Sequence, residues 1–584
     1  MRLVLVAWLL AAAPASAAPD PQIAEVASVD DTSPRSVDAA VKAADALGAA
    51  RRVDAIPALA ALAQKPPTKQ RIAAQIAAFR ALCKLDTARA KAAAPLRAIA
   101  TRARPRTKDE TTLALHLGVT GAAINALAEL RDPKSAPALV HAMYVDPELM
   151  MQSRRALVAS GPRAKDELRK ALRGDNADVN RLFKAQKLDR SCGDDGTCHP
   201  VSARDFYAAI VLGDFHDPAV VPDLLAALAR PALPAYYFDG DPSPATQRDA
   251  IFDALRKLGV PSAAAPVRAL WAARDLRTRT LAIGAYPFVA RDDRGLDELA
   301  QIMADNDADD TLRQEAATAY ARLAHDVARI APLLDLAQKY LDASAKKRAE
   351  ADGDAKRAAE TADHELARAK QKLDAAKQKA LAVARDRSTT VDQIKAATEA
   401  AKQAEAEFKL ARASHKDAVR PYREADAAAK AYRGYARMFQ THVARIAVVL
   451  RCKDDLACYG GTLALTPDAA ANAVAPWIHD LAAWTADEKL GLVEAAAERA
   501  MLELGKRGAR AEGQTAALLD AVAGDDRLIR QSILLALPKI AKLPCDDCIA
   551  KLDAAIAAGE GKVTLADLQL ETQLLRNFFL WAGR

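Results

Sequence analysis

Six of the seven cysteines in this chain come in close pairs, Cys192/Cys198, Cys452/Cys458 and Cys545/Cys548. Each pair encloses acids: Gly-Asp-Asp-Gly-Thr, Lys-Asp-Asp-Leu-Ala and Asp-Asp. Thiols at such spacing close into local disulfides in an oxidising compartment. Paired thiolates are also good zinc ligands. Cys545-Asp-Asp-Cys548 has the spacing of a redox dithiol, but it lacks a βαβ context, and its acids should hold the thiols protonated. Disulfides are the expectation for all three pairs, with zinc ligation and redox exchange as the alternatives. Short loops lose little unfolded-state entropy on closure, so each staple should stabilise modestly and serve to pin a turn. Cys83, among Phe79, Leu82 and Leu85, is expected as a buried free thiol.

Other chemistry is sparse. No two of the nine histidines are three or four residues apart. His364-Glu365 is followed by Arg368 where an H-E-x-x-H metal site needs histidine. Cys198-His199 lacks the C-x-x-C-H of haem attachment. Neither a phosphate-binding glycine loop nor a G-x-S-x-G elbow is present. Asp305–Asp310 opens like a calcium loop but has Asp310 at the glycine position and Ala316 at the bidentate acid. The chain is therefore read as non-enzymatic, with no cofactor or metal.

One segment suits partner binding. Pro231–Pro244 reads PALPAYYFDGDPSP, longer than an inter-helix turn requires, and concentrates Tyr236, Tyr237 and Phe238 in a chain with only 5% aromatics. Clustered aromatics can anchor a partner or plug a groove between repeats, and both readings stay open. Trp477 and Trp484, seven apart, are expected in the core.

The elements that position these residues begin with a leader. Met1-Arg2, an apolar run of eleven residues from Leu3 to Ala13, and an Ala15-Ser16-Ala17 cleavage site form a signal peptide, residues 1–17. Eleven residues fall short of the roughly 20 a membrane helix needs, and charges interrupt the later apolar stretches. The mature protein is expected to be periplasmic or secreted, with no membrane insertion after cleavage. The 83 basic and 76 acidic residues, net +7, are intermixed, unlike the segregated basic face of a nucleic-acid reader. Other proteins are the expected partners, and nucleic acid is not.

A chain of 584 residues implies several domains or a repeat array. Alanine carries much of the apolar content, and no period-two alternation marks a strand. The fold class is all-α. One phrase recurs: a helix ending Ala-x-x-Leu, a short break with Asp-Pro or Gly, then a second apolar helix. Examples are Ile124–Met143 (INALAELRDPKSAPALVHAM), Ala208–Leu228 (AAIVLGDFHDPAVVPDLLAAL) and Phe252–Trp271 (FDALRKLGVPSAAAPVRALW). Neither helix can bury its stripe alone, so neighbouring hairpins must stack. These phrases resemble HEAT repeats, in particular the PBS-lyase-like HEAT variant, as in exported bacterial α-solenoids. The resemblance covers about residues 34–334 and, more loosely, 465–557. It implies a scaffold that binds other proteins through the concave face of the solenoid, and its alternative is a cofactor lyase or other enzyme on a HEAT-like fold.

Between about Gln338 and Tyr435 the pattern changes. Ala359, Ala362, Leu366, Ala369, Leu373, Ala376, Ala380 and Val383 alternate spacings of three and four. A second such run goes from Ile394 to Ala418. Gly353 and Pro421 lie 35 and 33 residues either side of Ser388, so a chain reversing there brings its two helix breakers level. The expected organisation is a flexible linker at 18–33, a HEAT-like α-solenoid at 34–337, an antiparallel coiled-coil hairpin at 338–435 and C-terminal helical repeats at 436–584. The hairpin would offer a second binding surface, or, if rigid, make the protein an envelope spacer.

Overall fold

Proline after aspartate sets the pitch of the chain. Asp132 accepts a hydrogen bond from Lys134 N at 3.4 Å, and Asp217 accepts one from Ala219 N at 2.9 Å, so each acid caps the turn its proline opens. The structure, a computed structural model, describes residues 20–192, 196–236, 244–562 and 565–584. The expected signal peptide, residues 1–17, lies outside the described residues. Contacts divide the chain into two compact units, one of residues up to Arg291 together with Leu504–Arg584, the other of Asp292–Glu503.

The first unit starts with α1 (Pro21–Ala27), α2 (Pro34–Ala49), α3 (Ile56–Gln64), α4 (Ile72–Cys83), α5 (Arg89–Ala100), α6 (Glu110–Leu130), α7 (Ala136–Val145), α8 (Met150–Ala159) and α9 (Pro162–Arg173). Even helices pack on even and odd on odd, giving two layers of stacked hairpins. After α10 (Ala177–Gln186) comes a small ribbon, β1 (Arg190–Cys192) antiparallel to β2 (Cys198–Pro200). Stacking resumes through α11 (Ala203–Gly213), α12 (Val221–Leu228), α13 (Gln247–Leu258), α14 (Ala264–Ala269) and α15 (Leu276–Val289). The first unit is an all-α solenoid of helical hairpins. Part of the stretch expected as a flexible linker is helix α1, which buries Val26 and packs on α2 and α3. Helix α6 has the length and composition to cross a membrane, although charges were expected to break every such run; here it packs against α4, α5 and α8.

Alanine and glycine decide how close the layers come. A Cβ on Gly48 of α2 would lie 2.7 Å from Ala81 Cα of α4, and one on Gly213 of α11 would lie 2.8 Å from Ala254 Cα of α13. No side chain fits at either crossing. Ion pairs between successive hairpins accompany these contacts. Arg51 meets Asp86 at 3.5 Å, Arg80 meets Asp45 at 2.8 Å, and Arg97 meets Asp132.

The second unit holds α16 (Leu296–Ala304), α17 (Asp310–Leu323), α18 (Ala331–Glu350), α19 (Lys356–Arg385), α20 (Val391–Cys452), α21 (Leu456–Gly461), α22 (Pro467–Val474) and most of α23 (Ala486–Arg507). Helices α18 and α19 run antiparallel to the 62-residue α20. Ser344 Oγ donates to Ala429 O at 2.7 Å, Arg348 meets Asp426 at 2.7 Å, and Lys372 meets Glu407 at 2.5 Å. That register sets Gly353, whose ψ is −133°, opposite Pro421. Thr390 caps α20 with a capping box to Gln393. The boundaries expected at 337/338 and 435/436 fall inside α18 and α20, so each helix carries the hairpin directly out of the packed unit. At its base, Glu498 is held by Arg322 at 2.6 Å and Arg445 at 3.0 Å. Burial would raise this carboxyl, but the two guanidiniums outweigh it and hold the acid far below its ordinary range.

Returning to the first unit, the chain ends in α24 (Thr515–Ala521), α25 (Arg527–Ile540), α26 (Asp546–Ala558) and α27 (Ala566–Phe579). Helix α27 lies against α8. Arg154 of α8 binds Asp214 at 2.6 and 2.8 Å and Glu571 of α27 at 2.9 Å. Lys257 of α13 reaches Asp214 at 2.8 Å and Glu571 at 3.1 Å. Burial would raise the Asp214 carboxyl, but the Arg154 and Lys257 charges outweigh it and hold the acid below its ordinary range. Beside the knot, the His216 ring meets Phe578 edge-on at 5.1 Å, and its Nδ1 is sealed from solvent without a partner among the described residues.

Four outcomes follow. Asp214→Asn leaves Arg154 and Lys257 undercompensated and should cost about 3–5 kcal/mol in denaturant unfolding. Asp553→Asn, at the exposed Arg576–Asp553 pair, should cost less than about 1 kcal/mol. Burial first, and nearby cations, lower the His216 pKa from 6.5 to about 3. Between those values the unfolded chain binds a proton the folded chain does not, so this group's contribution is lost as pH falls from 6.5 towards 3. Melting temperature against pH should be flatter in that interval for His216→Asn, which tolerates the left-handed φ of 47° there. Finally, excising residues 356–420 and closing the arms with a short turn should leave the melting transition of the remainder in place. Unfolding of that deletion would show that the distal arms support the packed units.

Candidate partner-binding site

The loop that carries the aromatic cluster is held at its base by one side chain. Gln247, 1% exposed, donates from Nε2 to Pro231 O at 2.6 Å and accepts at Oε1 from Leu233 N at 2.9 Å. Pro234 bridges to Thr246, and Ala235 N donates to Ala245 O at 2.7 Å. Thr246 starts α13 with a capping box to Asp249. The ribbon is tied to the same place. Val201 N donates to Asp189 O at 2.9 Å, Ser202 N to Pro234 O at 2.7 Å, and Ser202 Oγ to Leu233 O at 2.8 Å. Ribbon and loop, two of the non-helical excursions of the first unit, therefore meet beside the N-terminus of α11.

Cys192 and Cys198 face each other across the ribbon and are disulfide-bonded, with Cα atoms 4.0 Å apart. Tyr236 is 40% exposed, so it does not plug the repeats. Tyr237 and Phe238 lie outside the described residues, as do the ribbon acids Asp194 and Asp195.

Between ribbon and loop lies a cleft of about 570 Å³. Five basic side chains line it, Lys184, Lys187, Arg190, Arg204 and Arg230, against Asp189 and Asp205. Asp205, 6% exposed, is shared by Arg204 at 3.2 Å and by Arg230, which also donates to Leu172 O at 2.9 Å. Phe183 lines the cleft, and a run of ring contacts leads away from it. Phe183 stands edge-on to Tyr144 at 5.1 Å, Tyr144 is 6.2 Å from Tyr207, and Tyr207 is 5.5 Å from Phe206. Burial, then the neighbouring Tyr236 hydroxyl, raises the Tyr207 phenol above its ordinary value. Such a surface can take up an apolar side chain flanked by carboxylates. The sequence reading named Tyr236 and missed Phe183, Phe206 and Tyr207. The missed signal was the gathering of aromatics on both sides of the ribbon.

The other singled-out residues have structural positions. Cys452 and Cys458 are bonded at the end of α20, and Cys545 and Cys548 at the start of α26. Asp455, between the first two, caps α21 through Ala457 N at 2.9 Å and Cys458 N at 3.1 Å. Cys83, expected to be buried, is half-exposed and donates to Glu129 Oε2 at 2.9 Å. Burial and that carboxylate push its thiol up to about 12. Asp309 caps α17, and Asp305 accepts from Asp307 N at 2.9 Å, so these acids serve the turn. Trp484 is buried with Arg437 over its ring at 4.6 Å, whereas Trp477 is only half-buried. Among the described residues, no three His, Cys, Asp or Glu side chains converge as a metal-binding group.

No family model matches the sequence, and no curated protein matches it. Solved structures do match. An engineered protein of the Northeast Structural Genomics Consortium is 16% identical, covering 66% of this chain and 98% of its own, with a TM-score of 0.23. Kap95p bound to RanGDP is 12% identical over 94% of this chain and 75% of its own, with a TM-score of 0.25. Importin beta in ammonium sulfate is 12% identical over 96% of this chain and 88% of its own, with a TM-score of 0.26.

Proposed function

We propose that this protein is an exported scaffold that binds other proteins, with the cleft between the disulfide ribbon and the Tyr236 loop as its main contact surface. The observation that carries the reading is the convergence of two non-helical excursions on one cleft. Stacked hairpins need only short turns, yet here two longer departures from the repeat meet. Their meeting place puts Phe183 and five basic groups in one cleft, with the partly exposed Phe206, Tyr207 and Tyr236 close to one another beside it. Clustered aromatic and arginine side chains on a preformed surface supply most of the binding energy in protein interfaces. The Gln247 clasp and the disulfide fix the cleft walls in advance, which lowers the ordering cost of binding. The partner is a polypeptide segment carrying carboxylates beside an apolar residue. Three bonded cysteine pairs support an oxidising compartment, periplasmic or extracellular. The helical hairpin of α19 and α20 offers a second surface, with Leu381 and Leu410 57% and 70% exposed.

A photo-crosslinking amino acid at position 236 should give discrete adducts in the native envelope. One at Leu528, 48% exposed, serves as the control for surface exposure alone. Lys184→Glu with Lys187→Glu should reduce the 236 adducts at least tenfold without moving the melting temperature, since both lysines are exposed. Equal, diffuse labelling at 236 and 528, or adducts indifferent to the charge reversal, would remove the cleft as the contact surface.

A further inference from the structure

The third cysteine pair is built differently from the other two. Cys545 is the residue that caps α26, and its Sγ accepts a hydrogen bond from Cys548 N at 3.2 Å. Cys548 is completely buried, whereas Cys545 is half-exposed in the wall of a cleft of about 750 Å³. Ala516, Leu519 and Ala550 give the cleft an apolar strip, and Lys542 stands at its edge. Lys551 and Asp520 pair across it at 2.7 Å. Asp546, one of the acids between the thiols, is engaged by Arg584, which offsets its charge beside the sulfur.

A staple does not account for this arrangement. Only two residues separate the cysteines, and both belong to the opening turn of one helix, which already holds them near each other. Closing so short a ring removes almost nothing from the unfolded ensemble. Accessibility is also asymmetric, because one sulfur can be reached from a cleft and the other cannot. The reachable sulfur sits where helix N–H groups favour a thiolate.

We propose that Cys545 and Cys548 form a dithiol–disulfide exchange site whose substrate is a cysteine-containing polypeptide segment lying in this cleft. A substrate thiolate attacks Cys545 Sγ, forming a mixed disulfide and breaking the Cys545–Cys548 bond. Cys548 leaves as a thiolate and takes up a proton. A second substrate thiolate then attacks the substrate sulfur of the mixed disulfide, closing the substrate disulfide and releasing Cys545 as a thiolate beside the Cys548 N–H. The substrate loses two electrons and the pair gains them. Exchange with a small-molecule disulfide returns the pair to its oxidised form.

The full chain and a synthetic peptide with two cysteines, in a buffer of reduced and oxidised glutathione, provide the test. The protein should accelerate peptide oxidation over the buffer at least tenfold. Cys545→Ser with Cys548→Ser should abolish the acceleration, and Cys452→Ser with Cys458→Ser should leave it intact. Peptide mass spectrometry of acid-quenched wild-type protein should find glutathione on Cys545 and not on Cys548, a readout that does not require the variants to fold. A wild-type rate equal to the buffer alone, activity that follows the 452/458 pair, or glutathione on Cys548 would each overturn the assignment.

Discussion

Asp214 is the residue on which the first unit turns. A carboxylate that is 1% exposed is tolerable only with cations fixed around it, since removing an unpaired charge from water costs several kcal/mol. Arg154 and Lys257 supply those cations from α8 and α13, but both are themselves buried. Their remaining charge needs another acid, and α27 brings it as Glu571. The solvation of one charge thus ties the last helix of the chain to hairpins more than 300 residues earlier. Apolar contacts seat the same helix. Trp581 Nε1 donates to Val158 O at 2.9 Å, and its ring covers Gly161 where φ is +75°. A larger residue at 161 would meet both the ring and an unfavourable backbone.

The second unit uses the same economy of charge around Glu498, with guanidiniums from α17 and α20. In both units one acid fixes several helices at once. Such a device suits alanine-rich helices, whose small side chains bury little area each and give weak orientational preference. Close approach at Gly48 and Gly213 sets the distance between hairpins, and paired charges set their rotation.

What the sequence made legible was local. Asp-Pro turns, the cap at Thr390 and the breakers Gly353 and Pro421 act through neighbours within a few residues, so their chemistry can be read without tertiary context. The stacked hairpins followed from them. Contacts made by distant segments were not legible. Helix α1 looked like a linker because its seven residues hold only two large aliphatics, and it is fixed by burying Val26 under α2 and α3. The return of α27 onto α8 depends on Glu571 finding cations hundreds of residues away, and no periodicity announces that. At the candidate site the aromatic run at Tyr236 stood out, whereas Phe206 and Tyr207 read as ordinary positions in an amphipathic helix. Only the folding of the ribbon against the loop gives them a common surface. A weaker long-range signal was present in the inter-hairpin ion pairs. Arg51 with Asp86, Arg80 with Asp45 and Arg97 with Asp132 are each 35 residues apart.

The acids beside the cysteines show how the same residue type answers different local demands. Beside Cys452 and Cys458, Asp455 is consumed by the cap of α21, so its charge is spent on backbone N–H groups. Beside Cys545 and Cys548 the cap is the sulfur itself, and the acids occupy the first helical turn, where the helix dipole favours them. Reading acids near thiols only as groups that hold the thiol protonated misses this division. At 452–458 the disulfide joins the end of one helix to the next and constrains a turn. At 545–548 the helix already supplies the geometry, which leaves the bond free to open without loss of the turn. The two pairs share a composition and differ in what their backbone needs from them.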